Sequence, residues 1–350
     1  MINKKKAYLG YFIIALVMGS LPFLANMGLI RNALILTFGT TMIYAIVALG
    51  LNILLGYGGM ISLGTAGFMG LSAYMAAYFT ENLAMPFGLS FILAIAIPTL
   101  IGLVVGLLSL KMSGIYLAIA TLAIAEVFRE IFIQLDNFTG GASGKMASYP
   151  LLFGRFRLDQ DGTYLFIVVC MLIVFLLTHN LTTGYLGRSL NALRSSQAAA
   201  QAMGVNSFKT RIMAFGISTA LAALGGVLYI HFIKISLPTT WTLNLSLTFL
   251  AIIVVGGFRS ISGTLLGSVI IYAFTEIFFK PIPALSNWTP VLQGLLMILF
   301  IMFYPQGTVH IFHQIKTRLN LGKKKIGYPE KGVDVSPDVS DIRTEEERND

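Results

Sequence analysis

The chain has 350 residues, 56% of them apolar and only 11% charged, with a mean hydropathy of +0.80. Soluble domains carry about 25% charged residues, so a soluble enzyme, a disulfide-stapled secreted module and a disordered scaffold are excluded. The net charge of +9 points to nucleic acid only until the charges are placed. From Pro305 onward eight bases balance eight acids, and the other sixteen bases mostly flank hydrophobic runs, as membrane topology requires.

A membrane-spanning helix takes about 20 apolar residues. Ten apolar segments lie near 7–25, 33–55, 61–79, 89–110, 115–134, 163–178, 213–233, 243–257, 261–279 and 289–304. They are too long and continuous for lipid-facing barrel strands, and backbone amides find no partners in lipid, which leaves helices. The expected fold is an all-α polytopic membrane protein of about ten transmembrane helices in a lipid bilayer. Residues 1–6 form a cytoplasmic N-terminus, 7–305 the transmembrane region and 306–350 a cytoplasmic tail. The tail mixes charges with Pro329 and Pro337 and is expected to be disordered.

The first segment follows Lys4-Lys5-Lys6 and resembles a signal peptide. It lacks a clear small-x-small cleavage site after its apolar run, and reads as a retained anchor. With these lysines in the cytoplasm, Lys111, Arg188, Arg194, Lys209, Arg211, Arg259 and the tail lysines also fall inside. Arg31, Lys145, Arg155, Arg157, Lys234 and Lys280 fall outside, so the inside leads by eighteen bases to six and both termini are expected there. Residues 135–162 become an outer loop and 179–212 the main cytoplasmic loop.

Gly58-Gly59-Met60-Ile61-Ser62-Leu63-Gly64-Thr65 recurs loosely as Gly256-Gly257-Phe258-Arg259-Ser260-Ile261-Ser262-Gly263-Thr264. Both stretches fall at an inner turn, where a duplicated five-helix unit would place them. Gly56 to Gly59, with Gly67 and Gly70, read either as a broken helix whose freed amides line a cavity or as close packing. The face of Gly102 and Gly106 reads as packing.

Chemistry-bearing patterns are sparse. Gly140-Gly141-Ala142-Ser143-Gly144-Lys145-Met146 has the wrong spacing for a phosphate-binding loop and lacks the hydroxyl after its lysine. Cys170 is the single cysteine, so no intrachain disulfide forms. His179, His231, His310 and His313 sit near membrane borders; the last two share i, i+3 spacing, but no nearby Cys or acid completes a metal shell. The chain reads as neither an enzyme nor a metal binder. Glu126 lies deepest in an apolar run, at a cost of roughly 2.5–3.5 kcal/mol at mid-bilayer. Arg129 at i+3 and Glu130 at i+4 are potential partners, and Glu126 is expected to be buried among helices, on a translocation path or at a helix contact. Glu276 and Lys280 form a second i, i+4 pair.

The cytoplasmic loop is the most patterned polar segment. Leu190, Leu193 and Ala198 through Met203 favour a helix. Gly204 is placed to end it in a left-handed cap, and Asn206 or Ser207 to cap the next helix, which enters the membrane at Ile212. Ala199, Ala200 and Met203 share a face by i, i+3 and i, i+4 spacing. Such a helix suits docking to a cytosolic partner, or a plain connector on the inner leaflet.

The loop resembles the coupling motif of ABC-importer permeases. Lys111-Met112-Ser113-Gly114-Ile115-Tyr116-Leu117-Ala118 onward through Glu126, followed by Thr139-Gly140-Gly141, resembles the LivM-type permeases of branched-chain amino acid importers. Ala48 through Gly59, and Gly256-Gly257 with Gly263-Thr264, extend the likeness over residues 40–305. The resemblance implies an inner-membrane permease subunit that pairs with a second, LivH-like permease. It also implies two cytosolic ATP-binding subunits and an extracytoplasmic substrate-binding protein. This chain itself would bind no cofactor, ATP being held by its partners. Arg194, Ala199, Ala200, Met203 and Gly204 are then the ATPase-coupling candidates. Asn52, Gly58, Gly59, Glu126, Gly256 and Gly257 are candidates for the translocation path or helix contacts. The family's acids are absent at Ser195-Ser196-Gln197. Permeases for urea and short amides share much of the pattern, and a stand-alone channel or ion-coupled transporter working through Glu126 is the main alternative.

Overall fold

The computed structural model describes residues 4–28, 31–108, 112, 114–152, 156–282, 288–303 and 308. A helix occupies the greater part of every apolar segment, because only helices satisfy the backbone of a single segment within lipid. The chain opens with α1 (Lys4–Gly19) and α2 (Leu21–Asn26), separated at Ser20, where Pro22 suits the first turn of a new helix. α3 (Asn32–Leu51) runs on into a widened π turn, Asn52–Tyr57. After it come α4 (Thr65–Ala77), α5 (Phe87–Leu108) and α6 (Ile115–Gln134).

The stretch after α6 holds α7 (Asp136–Thr139) and three short strands: β1 (Lys145–Met146), β2 (Leu151–Leu152) and β3 (Phe156–Arg157). Next are α8 (Gln160–Thr183), α9 (Tyr185–Ser195), α10 (Gln197–Ala202), α11 (Ser207–Ile233) and β4 (Ile235–Ser236). α12 (Leu243–Gly256), α13 (Ile261–Ser268) with wide turns on to Phe279, and α14 (Thr289–Phe303) complete the described chain. Among the described residues six stretches are long and apolar enough to cross a membrane: 7–26, 33–57, 87–107, 160–183, 207–233 and 261–279. The chain is a multi-pass helical membrane protein. Lys111, Arg155, His310, His313 and the tail apart from Thr308 lie outside the described residues.

α11 is the axis of the core and packs against α3, α4 and α5. Helices in lipid gain no hydrophobic drive from one another, so close backbone approach must hold them. Gly102 of α5 faces Thr219 of α11, and Gly226 of α11 faces the Met69 carbonyl of α4; a side chain at either glycine would overlap its neighbour. Gly67 and Gly70 belong to this packing and not to a helix break. They lie inside regular α4, against Ala125 of α6 and against Trp241 with Phe132.

At the end of the bundle away from α9, β1 pairs antiparallel with β4, Lys145 opposite Ser236. The fully buried Trp241 donates its Nε1–H to Ser236 Oγ at 2.8 Å, and the Tyr74 hydroxyl donates to the Ser236 carbonyl at 3.1 Å. Gly140, Gly141 and Gly144 all take positive φ, giving the turn-rich loop that their sequence predicts.

Candidate functional site

The two glycine turns, far apart in sequence, meet in space. α3 ends in the widened turn, where Gly58 N–H reaches back five residues to Ile53 O (3.2 Å) and Met60 N–H reaches Leu54 O (3.1 Å). Gly59 follows at φ +66°. The chain then runs non-helically to Gly64. Hydroxyls on other helices meet an amide of this run and one in the first turn of α4: Leu63 N–H bonds Thr121 Oγ1 at 3.0 Å and Ala66 N–H bonds Ser246 Oγ at 3.1 Å. The helix is broken, as one reading of the sequence had it, but the freed amides bond side chains.

The second turn leaves α12 at Gly256 and passes through Gly257 (φ +105°) and Arg259 (φ +63°). Ser260 restarts the chain by accepting Gly263 N–H at 3.0 Å, an N-cap. Asn52, 2% exposed, joins the turns. Its amide donates to Thr264 Oγ1 (2.9 Å) and Ser260 O (3.3 Å), while its Oδ1 accepts Arg259 N–H at 3.0 Å. Asn52 is therefore a helix contact. Gly56 leaves room for this amide and presents its carbonyl outward.

Two arginines take that carbonyl. Arg259 Nε donates to Gly56 O at 3.1 Å, and Arg194 Nη1 of α9 donates to the same oxygen. The Arg194 stem lies across Gly59, and Leu190 of α9 packs beside Gly58. Partial burial and the Arg259 charge pull the Arg194 guanidinium below its ordinary pKa. α9 is seated by Leu186, Leu190 and Leu193, all buried, which share one face by i, i+3 and i, i+4 spacing.

The segment before α11 is two helices where the sequence predicts one. Ser196 is extended (φ −159°, ψ 117°) and caps α10, its Oγ accepting Ala199 N–H at 3.3 Å. Ser favours such local bonds over helix continuation, so the alanine-rich run folds back on α9. Gly204, at φ +82°, closes α10 with both bonds of a Schellman motif: Val205 N–H to Ala200 O at 3.0 Å and Gly204 N–H to Gln201 O at 2.9 Å. Asn206 Oδ1 then accepts Lys209 N–H at 3.0 Å and starts α11. The shared face proposed for Ala199, Ala200 and Met203 is corrected. Ala200 is buried inside this chain, while Ala199 is exposed and Met203 is 85% exposed at the tip of the elbow. Gln197, where the resemblance leads one to expect an acid, accepts Arg211 Nη2 at 2.8 Å and ties α10 to α11.

Glu126 stands apart from this cluster. It pairs with Arg129 at 2.7 Å, but its side chain is 44% exposed, so the expected burial does not hold within this chain. α6 turns Leu117, Thr121, Ala125 and Phe132 inward and Tyr116, Ile119, Ala123 and Val127 outward, with Glu126 bordering the outward stripe. Arg129, rather than neighbouring helices, supplies the partner. Glu276 and Lys280 form the expected ion pair at 2.8 Å. Among the described residues no cluster of His, Cys, Asp and Glu is placed to hold a metal.

The arrangement is mechanical, since it links a helical elbow to two helix breaks through fixed hydrogen bonds. Arg259, Thr264 and Tyr57, whose hydroxyl donates to Arg259 O at 2.9 Å, belong to it and were not singled out as site residues by the sequence. Arg259 reads as a topology charge and as a member of the recurring glycine stretch, and its left-handed backbone has no composition signal.

The family described as branched-chain amino acid transport system, permease component, matches residues 33–301. The high-affinity branched-chain amino acid transport system permease protein LivM of Escherichia coli (strain K12) is 28% identical over 322 residues, covering 85% of this chain and 74% of that protein. Its counterpart from Salmonella typhimurium is 29% identical over 310 residues, covering 82% and 71%. A probable LivM permease of Methanocaldococcus jannaschii is 29% identical over 237 residues, covering 62% and 68%. No solved structure matches the chain. The family match takes in both glycine turns, α6 and the α9–α10 elbow, and the chain belongs to the permease components of branched-chain amino acid transport systems.

Proposed function

We propose that this chain is one of two permease subunits of an ATP-driven importer that carries branched-chain amino acids across the cytoplasmic membrane. The second permease is LivH-like, two cytosolic subunits bind the ATP, and an extracytoplasmic protein delivers the substrate. Both chain ends lie inside, and about ten helices cross the bilayer as a duplicated five-helix unit. The two glycine turns share positive φ at the second glycine, Gly59 and Gly257, which supports the duplication.

The observation that carries the reading is the elbow. It presents Ala199 and Met203 to solvent while Arg194 fixes its other side to the carbonyl of a helix break. A partner that seats on α10 thereby pulls on the turn that ends α3. The Glu126–Arg129 ion pair gives that carboxylate a structural partner, which favours coupling through the elbow over ion coupling through Glu126.

Enlarging Ala199 to Trp should leave folding and insertion normal, because the residue is exposed, yet abolish substrate-stimulated ATP hydrolysis and uptake by the reconstituted importer. Gly204→Val should also uncouple, since a β-branched residue resists φ +82°, whereas Gly204→Asn should retain most activity. Wild-type uptake by Ala199→Trp, or transport by this chain alone in liposomes without ATP, would overturn the reading.

A further inference from the structure

α1 packs lengthwise on α8, and the two run antiparallel. Tyr8 near the start of α1 bonds Asn180 near the end of α8, while the Met18 carbonyl near the end of α1 accepts the Tyr164 hydroxyl near the start of α8. The Tyr11 ring meets Phe175 edge to face at 5.7 Å, and its hydroxyl lies 3.2 Å from His179 Nδ1. Beside these contacts the pair leaves an open recess of about 550 Å³, lined by Tyr8, Leu9, Phe12, Leu172, Leu176 and Asn180. Its volume falls in the range of small-molecule sites, roughly 300–1,000 Å³.

The walls and the mouth of the recess ask for different chemistry. The walls are apolar and turned outward: Leu9 and Phe12 are more than half exposed, and both helices belong to stretches long and apolar enough to cross a membrane. The mouth is polar and basic. The Tyr8 hydroxyl donates to Asn180 Oδ1 at 2.5 Å, which leaves the two N–H donors of Asn180 Nδ2 for a ligand. Lys4, Lys5 and Lys6 open α1, and Lys5 stands four positions before Leu9 and seven before Phe12, a helical repeat. At the same end Arg188 Nη1 donates to the carbonyl of Thr183, the last residue of α8, at 3.1 Å. No acid of these helices offsets the bases there. α1 has none, and the one acid of α8, Asp161, sits at the opposite end, where its Oδ2 accepts Asn26 Nδ2 at 3.2 Å.

We propose that the recess between α1 and α8 holds one anionic phospholipid. An acyl chain lies along Leu9, Phe12, Leu172 and Leu176, and the phosphate sits among Lys4, Lys5, Lys6 and the Asn180 amide. A free inorganic anion would leave the apolar walls uncovered, and a zwitterionic lipid brings its own cation to a mouth that is already basic. The site needs only the membrane location of the chain and does not depend on what the chain transports.

The test is quenching of a tryptophan in the recess by bromine-labelled lipid, with the full-length protein in vesicles. Phe12→Trp supplies the fluorophore, and Leu100→Trp, at an exposed position of α5, is the comparison. Emission of the unsubstituted protein is subtracted. At position 12 labelled phosphatidylglycerol should quench with about tenfold higher relative affinity than labelled phosphatidylcholine of the same chains, as expected for one or two basic contacts at a membrane surface. At position 100 the two lipids should quench alike. Changing Lys4, Lys5 and Lys6 to Gln in the Phe12→Trp protein should bring the ratio to about one. Salt near 1 M, where the screening length is about 3 Å, should do the same without any change to the lysines. Inorganic phosphate at matched ionic strength should leave the ratio as it was. Equal quenching by the two lipids at position 12, an equal preference at both positions, or a preference that survives both the glutamines and high salt overturns the site. Competition by inorganic phosphate overturns the lipid as its occupant. Absence of quenching by either lipid at position 12 also overturns it, since protein would then cover the recess.

Discussion

The turn at Gly58-Gly59 leaves α3 through a widened helical turn and carries Arg194 across its face. The turn at Gly256-Gly257 leaves α12 abruptly, through Gly257 and a left-handed Arg259, and restarts at a serine cap. Their sequences are alike, yet of the two it is the first that the α9–α10 elbow covers. Local sequence sets where each chain segment turns, and the neighbour that packs on it sets what the turn can transmit. The left-handed arginine makes the point in energetic terms. Such a backbone costs roughly 1–2 kcal/mol outside glycine, and here it is held by Asn52 Oδ1 on the Arg259 amide and by Gly56 O on its Nε. The second turn thus depends on the first for its shape, whereas the first depends on the elbow for its load.

Breaking the joint between the turns should have the largest effect. Asn52→Leu strands the Arg259 amide and removes the amide donor to Thr264 and Ser260 in a buried site, at about 1–3 kcal/mol for each unmet group. The purified protein should melt well below wild type, and Asn52→Asp, which keeps the acceptor for Arg259 N–H, should fall between. A melting curve unchanged in Asn52→Leu would mean the turns hold each other by other contacts. Cutting the load on the first turn should do less to stability and more to activity. Arg194→Met keeps a stem over Gly59 but loses the donor to Gly56 O, so substrate-stimulated ATP hydrolysis should drop several-fold while melting stays near wild type. Arg194→Lys should recover only part, because an ammonium lacks the planar fork. Loss of coupling without loss of stability is the contrast that separates the two turns. The smallest effect is expected at Ser260→Ala, which removes one N-cap worth about 1 kcal/mol. It should lower the melting temperature less than Asn52→Leu and leave ATP hydrolysis alone.

The helices were legible because lipid leaves long apolar runs one solution. The caps at Gly204 and Asn206 were legible too, since each is a local bond between near neighbours. The break at Ser196 was not: in an alanine-rich run the competing side-chain bond is one hydroxyl, and the tertiary seat of Leu190 and Leu193 decides it. The meeting of Asn52 with Thr264 spans 212 positions and leaves no trace in periodicity. Glu126 was expected to be buried from its insertion cost and its Arg129 and Glu130 neighbours; the Arg129 pair forms, but which side of α6 faces the bundle is a tertiary matter that the local pattern leaves open. Ala200 was assigned to the outer face because the fold-back of α10 onto α9 was not foreseen.

α11 has no break from Ser207 to Ile233, and a stiff joint precedes it, with a left-handed glycine at 204 and a side-chain cap at 206. A rod about 40 Å long acts as a lever. A tilt of about one degree about its inner end displaces its outer end by roughly 0.7 Å by the same geometry. His231, two residues from that end, moves with it, while Ser148, whose carbonyl meets His231 Nδ1, belongs to a loop outside the rod. A tilt of a few degrees is enough to part a 2.9 Å hydrogen bond. Leverage would let a small rotation at the elbow open or close a contact about 40 Å away.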